Sequence, residues 1–292
     1  MAVILNDKKF IAYIHGESNL IKISAINVET QEIIPSLTFT FTDAKKFIEN
    51  IPKLINSKFK SILICVVSTE KLGFKNNIEL CKALKDKLEP LKIPYYFVNE
   101  QTLPASGMLS LNKITSKIDD SILIIHISIN NIYVMHLKYT ENGYKIIAEG
   151  IKIIDITGSA EENKEKCFAN FNHKKILLMP AQTWIPIFKY LKNYLFKSKK
   201  VIVVNPTLTE FEVKGCIETD KWLQDKINIK CHIIQQNYRC LMITPNIAKP
   251  ELKITADCHD SLPFEKSIIV PRSNLFFTVG LIFGIGNITD FG

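Results

Sequence analysis

Cysteine and histidine residues near the end of the chain are the side chains whose types could bind a metal ion. They are Cys231, His232, Cys240, Cys258 and His259. Thiolate and imidazole groups are the usual zinc ligands, but structural zinc sites place them in closely spaced pairs such as Cys-x-x-Cys. None of the seven cysteines has a partner at that spacing. We therefore predict no metal site, and we expect free thiols in a reducing compartment.

The other residues of catalytic type stand alone in the sequence. His126 and His136 flank a predicted hairpin, where a single histidine is more often a hydrogen-bonded core or surface residue than a ligand. Asp119 and Asp120 precede a predicted strand, and adjacent aspartates there are typical of a solvated turn. Spacing alone thus predicts no catalytic residue.

Composition indicates a globular chain with a basic surface. Of its 292 residues, 47% are hydrophobic, which is enough to bury a sizeable core. The net charge of +8 favours a polyanionic neighbour such as RNA. However, only Arg239 and Arg272 are arginines, and arginine is the better side chain for binding phosphate. We therefore favour another explanation of the positive charge, an AT-rich genome that places lysine at surface positions. The apolar runs are too short to span a bilayer, and the first residues do not resemble a signal peptide, so we expect a cytoplasmic protein.

The elements that must position any site occur in two similar stretches. In the first, we predict strands over 2–5, 9–15, 20–26 and 37–41, followed by a helix over 44–55, a strand over 61–67, a helix over 74–88, a strand over 94–98 and a short helix over 103–111. In the second, we predict strands over 121–127, 131–138 and 144–150, a helix over 161–171, a strand over 175–179, a helix over 184–195, a strand over 200–204 and a helix over 209–224. Three strands followed by alternating helices and strands, twice, predict a duplicated α/β architecture.

The helical pattern stops at Gln224, and the following segment contains β-like runs and several prolines. We therefore predict one unit over 1–226, with halves over about 1–115 and 116–226. A linker and a small β unit would follow over 227–292.

The duplicated half resembles the actin-like ATPase (duplicated ribonuclease-H-like) fold, and local segments resemble the heat-shock protein 70 family. Residues 97–105 (FVNEQTLPA) resemble its Asn-Glu-Pro-Thr-Ala-Ala run, and residues 177–186 (LLMPAQTWIP) stand where it has an adenosine-binding loop. The tail segments 243–250, 261–266 and 277–281 are similar to the linker and shortened substrate-binding sheet of the Ssz-type member, a subunit of the ribosome-associated complex. This chain is shorter than that family and would have reduced peripheral lobes.

The resemblance places three loops at an ATP site, and all three lack the residues that phosphate binding favours. Glycine lets backbone N–H groups approach phosphate oxygens, and magnesium prefers oxygen ligands to imidazole. Proline also removes a backbone N–H. The degenerate positions are Asn6, Asp7 and Lys8 in the first loop, His126, Ser128 and Asn130 in the second, and Pro180, Ala181 and Trp184 in the third. The resemblance therefore implies a pseudo-ATPase, not an enzyme, with no cofactor and no small-molecule substrate.

The Ssz-type resemblance implies an adaptor role in nascent-chain folding. Its partners would be a zuotin-type J-domain protein and the ribosome, the latter reached in part through rRNA on the basic surface. The tail would accept a partner strand over 263–283. The residues expected to bind the partner are Pro263, Phe264, Phe276, Phe277, Val279 and Leu281. Two alternatives are a reduced heat-shock-type ATPase that still binds ATP and another actin-like pseudoenzyme scaffold.

Overall fold

The computed structural model describes residues 8–17, 19–66, 73–168, 172–182, 185–196, 201–205, 207–236, 240–245, 254–256, 261, 265–269, 277–283 and 287–290. None of the helices in these ranges is long and apolar enough to cross a membrane.

The first half is a five-stranded sheet with helices on both faces. Its elements are β1 (Phe10–Glu17), β2 (Leu20–Asn27), β3 (Glu32–Phe41), α1 (Ala44–Leu54), β4 (Phe59–Cys65), α2 (Asn77–Leu88), β5 (Tyr95–Phe97) and α3 (Thr102–Leu111). The strand order is β3-β2-β1-β4-β5. The first three strands are an antiparallel meander, whereas β1, β4 and β5 are parallel.

The second half repeats this plan. Its elements are β6 (Ser121–Ile127), β7 (Ile132–Thr140), β8 (Gly143–Lys152), α4 (Ala160–Phe168), β9 (Lys175–Pro180), α5 (Pro186–Tyr190) continued by a π-helical turn (Leu191–Leu195), β10 (Val201–Val203) and α6 (Leu208–Gln224). The strand order is β10-β9-β6-β7-β8, which corresponds strand for strand to the first sheet. The Thr207 hydroxyl accepts a hydrogen bond from the backbone N–H of Glu210 and begins α6 with a capping box.

Helices α3 and α6 lie between the two sheets. We call the sheet faces that contact them the inner faces. The inner face of the first sheet packs Ile11, Tyr13 and Leu63 with Leu103, Cys216 and Ile217, and that of the second packs Ile122 and Ile124 with Met108, Leu109 and Phe211. The outer faces pack against α1 and α2 in the first half and against α4 and α5 in the second. The described elements thus form five layers with α3 and α6 in the middle.

The duplicated halves have the strand order and crossing helices of the actin-like ATPase fold, which confirms the predicted fold. The C-terminal β unit is also present. It contains β11 (Cys240–Pro245), β12 (Ile254–Ala256), β13 (Phe277–Phe283) and β14 (Asn287–Asp290), in the order β12-β11-β13-β14.

The segment over 231–236 connects α6 to this unit and packs across both halves. We call it the strap. The Tyr144 N–H donates to the His232 carbonyl, and the Ile234 N–H donates to the Tyr144 carbonyl, so the strap pairs with the edge of the second sheet. The Asn99 N–H donates to the Gln235 side-chain oxygen at 3.0 Å, which attaches the strap to the first half.

The predicted partner strand on the tail stays an untested prediction. β13 lies between β11 and β14, and it pairs with β11 over 277–282 and with β14 over 280–283. Phe277 is half exposed at the start of β13, Val279 and Leu281 pair with β11, and Pro263, Phe264 and Phe276 lie outside the described residues.

Candidate functional site: the cleft between the two sheets

The two central strands, β1 and β6, end in turns at equivalent places. In the first half, Gly16 pairs with Ile21 and Glu17 pairs with Leu20, so a two-residue connection joins β1 to β2. In the second half, the Ser128 N–H donates to the Asn131 carbonyl at 2.9 Å and closes the turn between β6 and β7. In α/β sheets the carboxyl ends of parallel strands are the usual place for ligands.

The first of these turns is not where the sequence analysis placed it. Asn6 and Asp7 lie outside the described residues, and Lys8 is exposed just before β1. The Lys9 N–H donates to the Lys58 carbonyl beside the start of β4, at the amino end of the sheet. At about 3.3 Å per residue, the eight-residue β1 separates this segment from the turn by roughly 25 Å. The error arose because the predicted second strand is β1, and a glycine, Gly16, stands near the end of that strand, next to its turn.

A buried polar cluster lies beneath the first turn on the inner face. The Tyr13 ring stacks on the His15 ring, with centroids 5.1 Å apart. Tyr13 is hydrogen-bonded to Cys65, and burial raises the pKa of the Cys65 thiol to about 12. Burial also raises the pKa of Tyr13 and of Cys216 on α6. Both thiols therefore stay protonated at neutral pH, which excludes them as nucleophiles.

Two carboxylates reach this cluster from different elements. Negative charge on Glu100, which follows β5, and on Glu212 of α6 further raises the pKa of Cys65. Glu100 is exposed, and the loop that holds it is rigid: the Gln101 N–H donates to the Asn99 side chain at 2.7 Å, and the Thr102 hydroxyl donates to the Asn99 carbonyl at 2.9 Å. Glu100 is thus an exposed carboxylate on a fixed backbone at the carboxyl end of the first sheet.

Sequence reasoning did not single out Glu100 as a functional residue. The available signal was an acidic residue in the short loop, over 98–101, between a parallel strand and a helix. Glu212 gave no such signal, because its approach to Cys65 depends on how α6 crosses the first sheet.

His126 occupies on β6 the position that His15 occupies on β1. His15 pairs with Lys22 on β2 and with Cys65 on β4, and His126 pairs with Tyr133 on β7 and with Met179 on β9. Both histidines are half-buried on the inner faces, two residues after the inward-packed Tyr13 and Ile124. Burial lowers the pKa of His126.

The other predicted loop residues lie at the ends of the second sheet. Ser128 and Asn130 are in the turn after β6, Pro180 is the last residue of β9, and the Ala181 N–H donates to the Ile127 carbonyl at 2.8 Å. Trp184 lies outside the described residues. Ser128, Asn130, Pro180 and Ala181 are therefore brought together with His126 at one edge of the sheet.

Other histidines and acids from the sequence analysis have structural partners elsewhere. His136 is buried and its Nδ1 lies 2.9 Å from Nε2 of His173. The Asp120 carboxylate binds the Lys174 ammonium at 2.6 Å, which lowers its pKa, and Asp119 binds Lys138 at 2.8 Å.

Cys231 and His232, two of the residues whose types could bind zinc but whose spacing argued against it, belong to the strap. The Cys231 carbonyl accepts a hydrogen bond from the Ser106 hydroxyl at 2.7 Å, and the His232 ring stacks on Trp222 at 3.8 Å. Within the described ranges, no three histidine, cysteine or acidic side chains converge in a way that could hold a metal ion.

A cavity of about 400 Å³ opens away from this cleft, between the β2–β3 turn and α6. Ile33, Leu111 and Val213 form much of its wall. Glu32, Glu210 and Lys214 also line it. We place the candidate site instead at the carboxyl ends of the central strands, because ligands of α/β sheets usually bind there.

No protein-family model and no curated protein matches the sequence. Solved structures do match. One is a ROK family protein from Streptococcus pneumoniae in complex with sucrose, at 11% identity and a TM-score of 0.45, over 74% of this chain and 99% of that chain. Another is a ROK family glucokinase from Streptomyces griseus in complex with glucose and AMPPNP, at 9% identity and a TM-score of 0.41, over 71% and 98%. A third is a Bacteroides thetaiotaomicron protein with an actin-like ATPase fold, at 12% identity and a TM-score of 0.34, over 73% and 98%. At these identities the matches show the fold alone.

These comparisons overturn the resemblance to the Ssz-type heat-shock proteins. The matched structures include kinases, and no sequence comparison supports a chaperone of the ribosome-associated complex. The prediction of a pseudo-ATPase that is not an enzyme depended on this resemblance and is also wrong. It depended as well on a first loop, and the structure places the turn of that hairpin elsewhere. The zuotin-type partner and the ribosome were implied by the same resemblance and stay untested predictions.

Proposed function

We propose that this protein binds a nucleoside triphosphate in the cleft between its two sheets and transfers the terminal phosphoryl group. The observation that carries the proposal is the position of Glu100, an exposed carboxylate on a rigid loop at the carboxyl end of β5, above the inner-face cluster of Tyr13 and Cys65. The acceptor would be water or a hydroxyl group.

The turns after β1 and β6 supply the means to hold phosphates. A turn next to Gly16 lets the backbone approach a ligand closely, and the closed turn over Ser128–Asn131 orients its remaining backbone groups toward the end of the strand. The actin-like ATPase fold favours a nucleotide at this place by analogy of fold alone. The proposal therefore depends on the residues named at the two turns.

Glu100 is the side chain suited to activate the acceptor. Phosphoryl transfer needs a group that orients the attacking oxygen and accepts its proton, and catalysis otherwise depends on positioning and charge. The hydrogen bonds of Asn99 with Gln101, Thr102 and Gln235 fix the backbone on both sides of Glu100. Glu100 is therefore carried by a backbone segment that is hydrogen-bonded on both sides.

ATP binding is tested by the shift of the melting temperature with ATP and Mg²⁺. A ligand at about one hundred times its Kd stabilises the folded state by about 2.7 kcal/mol, which is a measurable rise. An unchanged melting temperature would refute nucleotide binding and would favour the alternative of an actin-like scaffold.

The role of Glu100 is tested by Glu100→Gln, which keeps the shape of the side chain and removes its charge. We expect ATP to raise the melting temperature as before, while phosphate release or transfer falls by about 10²-fold or more. Glu161→Gln on the surface of α4, where Glu161 pairs with Lys164, is the matched control and should keep full activity. A Glu100→Gln protein with full activity would contradict the role of this residue.

A further inference from the structure

A second cavity opens between the end of α3 and the end of α6, with a volume of about 290 Å³. Its charged lining consists of three lysines, Lys113, Lys221 and Lys230, and one carboxylate, Glu218. The cavity therefore brings more positive than negative side chains to one concave surface.

This cavity lies away from the candidate site. Asp220, next to Lys221 on α6, accepts a hydrogen bond from Ser61 near the start of β4. The end of α3 is followed along the chain by β6, which begins at Ser121. The cavity is therefore near the amino ends of the two sheets, whereas the candidate site is at their carboxyl ends.

The negative charge of Glu218 is already compensated by its own contacts. Its Oε1 accepts a hydrogen bond from the Ser110 hydroxyl at 2.9 Å and lies 2.8 Å from the Lys221 ammonium. Among the described residues, Lys113 and Lys230 have no carboxylate within ion-pair distance. A concave site with an excess of one charge attracts ions of the opposite charge, so this one favours an anion.

The buried Cys231 shows that two of the lysine charges act at the cavity wall. Cys231 lines the cavity and is hydrogen-bonded to Ser110. Burial and the Glu218 carboxylate raise the pKa of the Cys231 thiol to about 11, and the Lys230 and Lys221 ammonium groups act in the opposite direction. The positive charges of Lys221 and Lys230 therefore lie close to one buried residue of the cavity, although both side chains are exposed to solvent.

We infer that this cavity binds a small anion that carries phosphoryl groups, held by Lys113, Lys221 and Lys230. Ammonium groups form charge-assisted hydrogen bonds with phosphoryl oxygens, and several of them around one concave surface match a ligand with several negative charges. The volume is at the small end for ligand pockets, which favours a compact anion such as pyrophosphate or a phosphate monoester. This inference does not depend on the proposed function.

The experiment is calorimetric titration with inorganic pyrophosphate at low ionic strength, without nucleotide and without added Mg²⁺. The proteins are the wild type, Lys113→Gln, Lys230→Gln, Glu218→Gln and the control Lys85→Gln on the surface of α2, where Lys85 pairs with Glu89. We expect Lys113→Gln and Lys230→Gln each to weaken binding by roughly tenfold, because each removes a charge-assisted hydrogen bond. Glu218→Gln should have the opposite effect and tighten binding, since it removes a repelling charge and releases Lys221. The control should match the wild type, and added salt should weaken binding in both.

Three results would overturn the inference. The first is a wild type that binds no pyrophosphate. The second is binding that is equal in the wild type, Lys113→Gln and Lys230→Gln, since the anion would then occupy another place such as the candidate site. The third comes from a parallel titration with a single-stranded RNA oligonucleotide: if RNA binds and the lysine variants weaken it, while pyrophosphate does not bind, the lysines belong to a nucleic-acid surface and not to a small-anion site. None of these results bears on ATP binding with Mg²⁺, which the melting temperature tests separately.

Discussion

Gly107 of α3 lies directly against the backbone of Phe211 in α6. A Cβ atom on Gly107 would stand 1.9 Å from the Phe211 carbonyl oxygen. The reciprocal contact is equally close, since a Cβ atom on Gly215 would stand 1.9 Å from the Leu103 carbonyl oxygen. Leu103 and Gly107 are four residues apart, as are Phe211 and Gly215. Helices α3 and α6 therefore cross through two equivalent contacts, each between a glycine of one helix and a backbone carbonyl of the other.

Replacing either glycine with alanine should destabilise the protein strongly. Alanine in a helix normally gains about 1 kcal/mol over glycine, so a loss here would report the clash and not helix propensity. Because the clash is with backbone, the helices must separate, and we expect a loss of more than about 3 kcal/mol for Gly107→Ala and for Gly215→Ala. Urea unfolding measures this.

The control is Lys82→Ala on the exposed face of α2, which should change the free energy of unfolding by less than about 0.5 kcal/mol. If Gly107→Ala or Gly215→Ala is as stable as that variant, the close crossing of α3 and α6 is incorrect.

The duplicated order of elements was predictable because each half contains continuous apolar strands and amphipathic helices. The predicted strand over 121–127 coincides with β6, and the predicted helix over 209–224 differs from α6 by one residue. Two neighbouring apolar runs, over 2–5 and 9–15, both satisfy the strand pattern; the second coincides with β1, and the first lies outside the described residues. Local pattern does not decide which run is central in a sheet, since that depends on pairing between distant segments.

The candidate site was only partly predictable for the same reason. His126 and the turn after it were located because a strand and its turn are local features. The approach of Glu212 to Cys65, and of Tyr13 to Cys216, joins residues about 150 to 200 positions apart and follows from the way α6 crosses the first sheet. Position in sequence contains no direct signal for such contacts.

Asp220 joins the two halves through a buried hydrogen-bond network. Its carboxylate accepts a hydrogen bond from the Ser61 hydroxyl at 2.7 Å and binds the Lys60 ammonium at 3.0 Å, although the Asp220 side chain is 1% exposed. Asp220→Ala would leave Ser61 without its acceptor and remove the partner of Lys60, and we expect a loss of about 3 kcal/mol in the free energy of unfolding.

A double-mutant cycle with Ser61→Ala separates the contact from the effects of each truncation. We expect a coupling energy of about 1 kcal/mol or more between the two changes, measured by urea unfolding. Strictly additive effects would show that the hydrogen bond between α6 and β4 contributes nothing.

Acid should destabilise the folded protein through its buried histidines. Burial lowers the pKa of His136 and of His232 to about 4, from an ordinary value near 6.5. Between these values the unfolded chain binds more protons than the folded one, so stability is fully present above about pH 6.5 and is lost as the pH falls toward 4. Each histidine would contribute about 3 kcal/mol to this loss.

The measurement is urea unfolding at a series of pH values between about 4 and 7. His136→Gln removes one titrating group and should flatten the pH dependence, whatever its effect on stability at neutral pH. A slope in the variant equal to that of the wild type would exclude His136 as a source of the acid sensitivity.

Gln235 should control how firmly the strap holds the two halves together. Its side chain accepts a hydrogen bond from the Asn99 N–H at 3.0 Å and donates one to the Thr102 hydroxyl at 3.0 Å, on either side of Glu100. Gln235→Ala removes both, whereas the strap keeps its backbone pairing with Tyr144 and the hydrogen bond from the Ser106 hydroxyl to the Cys231 carbonyl. We expect faster amide hydrogen exchange at Asn99 and at the start of α3, because their protection depends on this contact. Exchange at Tyr144 and Ile234 should stay slow, which provides an internal control. Equal exchange at Asn99 in both proteins would show that the strap does not restrain the loop that carries Glu100.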